Sequence, residues 1–138
     1  MQNRFAAAAG IALTVACLGG CSSHELPGPP AAGVTINGSD ALQTHAVTCK
    51  QLQWTWRIDI GDAASGADVI VDTSKENPAA TSVHINNVGG FSGIYSQNNG
   101  AADTRVSGET FTIAGTANGV RTDTREPASA RYRIVVTC

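Results

Sequence analysis

The residue of this chain best placed to do chemistry is Cys21, which closes the run Leu18-Gly19-Gly20-Cys21. A cysteine thiol is readily alkylated once it ionises, and the small residues before it suit the groove of a peptidase. An apolar stretch ends at Leu18, and the polar pair Ser22-Ser23 follows Cys21 directly. This is the pattern of a lipobox, in which the cysteine takes a diacylglycerol and becomes the new N-terminus after cleavage. Cys21 is therefore expected to carry lipid and to hold the mature chain to a membrane through its acyl chains.

Three further segments follow from that cut. Residues 1–20 read as a lipoprotein signal peptide. Arg4 supplies its positive charge, and the apolar run from Phe5 to Leu18, about fourteen residues, is too short to span a bilayer. No twin arginine occurs, so export by the general secretory route is expected. Residues 21–33 form the lipidated cysteine and a proline-rich tether with no means of building a core. Residues 34–138 form the folded part. The mature chain of about 118 residues suits one domain.

Cys17 leaves with the leader and Cys21 is assigned to lipid, so Cys49 and Cys138 remain. An even pair in an oxidising compartment is expected to form a disulfide. In the chain-entropy model the loop of about ninety residues that it closes is worth up to roughly 4–5 kcal/mol. Two free buried thiols are the alternative.

The other candidates for chemistry are weaker. Gly90-Phe91-Ser92-Gly93-Ile94 imitates a nucleophile elbow, but its last glycine is missing and the surroundings are not α/β, so a flexible loop between strands is expected there. His24 lies in the tether. His45 and Cys49 share one strand face but stand about 13 Å apart, too far to share a metal. His84, between Val83 and Ile85, is expected to face solvent. Asp59, Asp62 and Asp68 gather around one turn without the alternating ligand pattern of a calcium loop, and solvated carboxylates are the plainer reading. Asn37-Gly38-Ser39 has the form of a glycosylation acceptor but reads better as a hairpin turn. No catalytic set, metal site or cofactor is expected. With no basic run and a net charge of −2, neither is a nucleic-acid partner.

The elements that carry these residues all read as strands. Glycine is frequent, at 15 residues, and no window has a helical stripe. From Gln53 to Ile60, Trp54, Trp56, Ile58 and Ile60 alternate with polar residues, the period of a half-buried strand. Trp54 and Trp56 are in phase with the isoleucines, which places them in the core; the alternative is that they face an apolar or sugar ligand. Leu52 shares their phase and Cys49 does not, so a bend is expected between those two. Further strands are expected at Val34–Ile36, His45–Lys50, Ala67–Asp72, Thr81–Val88, Thr110–Thr116 and Arg131–Cys138. Asn37-Gly38, Asn99-Gly100 and Asn118-Gly119 are turn dipeptides, and Arg121 to Pro127 is a charged loop. Seven or eight short strands predict an all-β fold, a small antiparallel sandwich or partly closed barrel clamped by one disulfide.

Several of these motifs recur together in one known family. The lipobox at Leu18–Cys21, Val47-Thr48-Cys49, Asn87-Val88-Gly89-Gly90 followed by Tyr95, Phe111 to Val120, and the closing Val136-Thr137-Cys138 resemble, in order and spacing, the mycobacterial nineteen-kilodalton lipoprotein antigen family (LpqH-like). The resemblance implies a lipid-anchored protein on the extracytoplasmic face of the cell membrane. It further implies a surface antigen or adhesin without catalysis, whose acylated N-terminus is sensed by host pattern-recognition receptors. A carrier of apolar or glycolipid ligands, using Trp54 and Trp56, is the second reading. The tether departs from the family's long Ser/Thr-rich segment, being short and rich in proline.

Overall fold

A computed structural model describes residues 29–138. Cys21 and most of the tether lie outside the described residues. The chain forms ten strands: β1 (Ala31–Ile36), β2 (Ser39–Thr44), β3 (Val47–Leu52), β4 (Thr55–Gly61), β5 (Gly66–Asp72), β6 (Ala79–Val88), β7 (Phe91–Ser96), β8 (Ala101–Ser107), β9 (Thr110–Arg121) and β10 (Pro127–Thr137). All pair antiparallel in the order β2-β1-β10-β9-β7-β6-β5-β4-β3. Strand β9 shares its second edge, pairing β8 along its first part and β7 along its last. The sheet curls into a nearly closed barrel, and the strands at the two ends of that order, β2 and β3, are linked through His45 and Ala46.

Alternation explains where the core sits. Ile58 and Ile60 of β4, Val69 and Val71 of β5, Val83 and Ile85 of β6, Phe111 and Ile113 of β9, and Tyr132, Ile134 and Val136 of β10 all point inward and are buried. No polar side chain is buried among the described residues apart from the tyrosines, whose rings belong to the core. Burial pushes the Tyr132 hydroxyl well above the usual tyrosine range, with Tyr95 adding a smaller electrostatic contribution. It donates to the carbonyl of Ala101 at 3.4 Å.

The all-β antiparallel architecture with its disulfide is as expected, but several elements differ in detail. Strand β1 begins at Ala31, ahead of Val34. Strand β8 has no counterpart in the sequence reading, because Ala102 and Thr104 are only half-buried and Val106 is exposed, so the segment has little apolar contrast. The segment around Phe91-Ser92-Gly93 is strand β7 rather than a flexible loop. Only Gly89 and Gly90 turn, with φ of 58° and 73°. Asn118-Gly119 lies inside β9 rather than in a turn. Gly119 is needed there because a Cβ would meet the Ser92 carbonyl oxygen and the Gly93 Cα of the neighbouring strand. By contrast Asn37-Gly38 does turn β1 into β2, at φ of 52° and 83°.

Candidate functional site

The disulfide reading is realised in the fold. Cys49 on β3 and Cys138 after β10 are bonded, with Cα atoms 5.9 Å apart and a sequence separation of 89. Cys138 is held in place by its own amide, which donates to the Glu109 carbonyl at 2.9 Å. Beside the bond, Trp56 on β4 packs its ring on Phe111 of β9, centroids 5.2 Å apart and planes tilted by 59°. The disulfide and the aromatic pair thus join the β3–β4 edge of the sheet to its β9–β10 region. A cleft of about 520 Å³ opens next to them, lined by Cys49, Trp56, Val106, Gly108, Glu109, Phe111 and Cys138.

The two tryptophans have different surroundings. Trp56 is half-buried and lines the cleft. Trp54 is not in the core: it is 64% exposed, and with Gln53 it forms the two-residue turn between β3 and β4. Gln53 takes the left-handed region at φ 55°. The bend expected between Cys49 and Leu52 is absent, since β3 pairs with β4 in unbroken register from Val47 to Leu52. The change of phase is the turn itself. It pairs Leu52 with Thr55 on the outer face, where Leu52 is 79% exposed.

The carboxylates near the β4–β5 turn do not form one set: Asp62 stands apart, while Asp59 and Asp68 face each other. Asp62 accepts from the amides of Ala64 and Ser65 at 2.8 and 3.0 Å and so closes its own turn. Asp59 lies 3.3 Å from the Arg57 guanidinium. Asp68 is directly opposite Asp59 across the strands and 3.9 Å from His84, which faces solvent. Partial burial raises the Asp68 carboxyl above the usual range. A hydrogen bond with Asp59 and repulsion from its charge raise it further, while Arg57 and His84 act in the opposite sense. Among the described residues no three His, Cys, Asp or Glu side chains gather as a metal site would require.

Ser92 serves the backbone. Its hydroxyl accepts from the Asn87 amide at 2.9 Å and lies 3.3 Å from the Thr122 hydroxyl, which secures the irregular end of β6. Asn37 ties the tip of its hairpin to β10. Its amide donates to the Arg131 carbonyl at 2.8 Å, and its side-chain oxygen accepts from the Arg131 amide at 3.0 Å. His45 sits in the link between β2 and β3, with Nδ1 3.3 Å from the Pro30 carbonyl oxygen.

Comparison with known proteins gives the family of the chain. A lipoprotein relative from Mycobacterium indicus pranii is 51% identical over 145 residues, covering the whole of both chains. One from Mycobacterium avium subsp. hominissuis is 40% identical over 141 residues, covering 100% of this chain and 97% of the relative. Lipoprotein LpqH of Mycobacterium tuberculosis is 32% identical over 152 residues, covering 96% and 95% respectively. Residues 27–138, which include the whole barrel and both disulfide cysteines, match the family described as Mycobacterium 19 kDa lipoprotein antigen, and the chain belongs to that family.

Proposed function

We propose that this protein is a cell-envelope lipoprotein whose Cys21 carries acyl chains, holding the barrel on the extracytoplasmic face of the membrane. Its role there is non-catalytic: a surface antigen, adhesin or envelope-interaction module, with the acylated N-terminus open to host pattern-recognition receptors. The observation that carries this reading is the match to a lipoprotein relative over the full length of the chain, leader included, with Cys21 placed where the apolar leader ends. The barrel suits such a role, since Asp62 and Ser92, two of the groups that could have done chemistry, are engaged in holding turns and strand ends. Replacing Cys21→Ala is expected to move the protein from the membrane fraction to the medium. Retention in the membrane fraction would contradict the anchor.

The cleft beside the disulfide favours a second reading, a binder of apolar ligands. Its wall combines Trp56, Phe111 and Val106, and its volume of about 520 Å³ falls in the range of small-molecule sites. Trp56, rather than Trp54, would be the ligand-facing indole. Long-chain fatty acid added to the protein should then change Trp56 emission, and Val106→Trp should abolish that change by filling the cleft. An emission unchanged at saturating fatty acid rules this reading out.

A further inference from the structure

The tip of the β3–β4 hairpin is an exposed apolar point with a rigid mounting. Leu52 and Trp54 are 79% and 64% exposed and adjoin one turn. The mounting comes from the neighbouring β5–β6 loop, where the Thr73 amide and hydroxyl both donate to the Trp54 carbonyl, at 2.8 and 2.9 Å. The Gln51 side chain donates to the Gln53 carbonyl at 3.0 Å. The backbone of the tip is thus fixed while its two large apolar side chains stay in solvent. The chain's two lysines flank this tip, Lys50 on β3 and Lys75 in the β5–β6 loop, and both are exposed. Glu76 lies beside Lys75. A tryptophan and a leucine bordered by lysines form a composition suited to the interface of a bilayer. There the indole sits at headgroup depth and lysine stems reach back to the phosphates.

Chain length places that interface within reach. Ala31 pairs with Thr137, the residue before Cys138, and Cys138 is bonded to Cys49. Leu52 lies three residues beyond Cys49 on the same strand, so the tip is within about 25 Å of Ala31. Ten residues separate Cys21 from Ala31, and a chain of that length spans about 31 Å in the polyproline conformation. A membrane holding Cys21 is therefore at a distance the tip can also meet.

We infer that Leu52 and Trp54 insert into the outer surface of the membrane that holds Cys21, giving the barrel a second, non-covalent contact and a fixed orientation. This inference rests on the lipid anchor proposed above. The test uses the full lipidated protein in phosphatidylethanolamine–phosphatidylglycerol vesicles, with and without bromine on the acyl chains. Trp56→Phe leaves Trp54 as the reporter, and Trp54→Phe leaves Trp56. Trp54 emission should shift to the blue on reconstitution and be lost in brominated vesicles, whereas Trp56 emission should be lost to a much smaller extent. Protein that fails to float with the vesicles overturns the anchor and this contact together. Protein that floats with Trp54 unquenched overturns the contact alone. So does a blue shift that depends on protein concentration and not on bromine, which would assign the tip to a second copy of the chain.

Discussion

Trp54 and Trp56 are two positions apart yet differ in what they contribute. Trp56 leans on Phe111, which is 2% exposed and belongs to the core beside the cleft, whereas Trp54 stands in solvent. Phe111→Ala should therefore cost about 3–5 kcal/mol in chemical denaturation, while Trp54→Ala should stay within about 0.5 kcal/mol. Equal losses would mean that the tip is packed. The Asp59–Asp68 pair gives a pH-dependent prediction. Asp68 is raised in the fold, first by burial and then by Asp59. Its stabilising effect is therefore present while it is protonated and is lost as pH rises through that raised value. Asp68→Asn should stabilise the protein near neutrality by a few tenths of a kcal/mol, since the site is largely exposed. The gain should vanish in acid below the ordinary aspartate range, as paired denaturation curves at the two pH values would register. The identity of the disulfide cysteines could be read from the sequence because compartment and parity decide it. The packing of the tryptophans could not, since a period of two cannot tell the last residue of a turn from the first of a strand.

At the scale of elements, legibility followed apolar contrast. Strands β4, β6 and β10 bury one face and expose the other, so alternation located each of them within a few residues. Strand β8 lacks that contrast, and its place is set by pairing with β9 and by a hydrogen bond in which the Ala80 amide donates to Thr104 Oγ1 at 2.8 Å. These are tertiary causes that a local window does not contain. The same holds for Asn118-Gly119, where Asn118 bonds Asn99 and Ser129 on two neighbouring segments and keeps the dipeptide extended. The β3–β4 turn places a glutamine at φ 55°, a region that a Cβ disfavours. Gln53→Gly should therefore raise stability by up to about 1 kcal/mol without changing the register. A thermal midpoint that falls on this substitution would show that the Gln53 side chain contributes more than its backbone costs.

For the whole molecule, the question is how a small sheet whose end strands do not pair with each other stays nearly closed. Its edge strands adjoin in sequence, and the Cys49–Cys138 bond fastens one edge to the last strand across 89 residues. Reduction, or the paired change Cys49→Ser with Cys138→Ser, should lower stability by about 3–5 kcal/mol. An unchanged midpoint in reductant would show that the barrel closes on its core alone. The proposed membrane anchor bears most heavily on function, since it would set where the barrel acts and which surfaces it can meet. It is tested most directly by the intact mass of the protein purified from its native membrane, first without reductant and then with it. A chain beginning at Cys21 and bearing acyl chains, which gains the mass of one hydrogen pair on reduction, is the expected result. A chain that begins elsewhere, or that begins at Cys21 without lipid, would contradict the anchor.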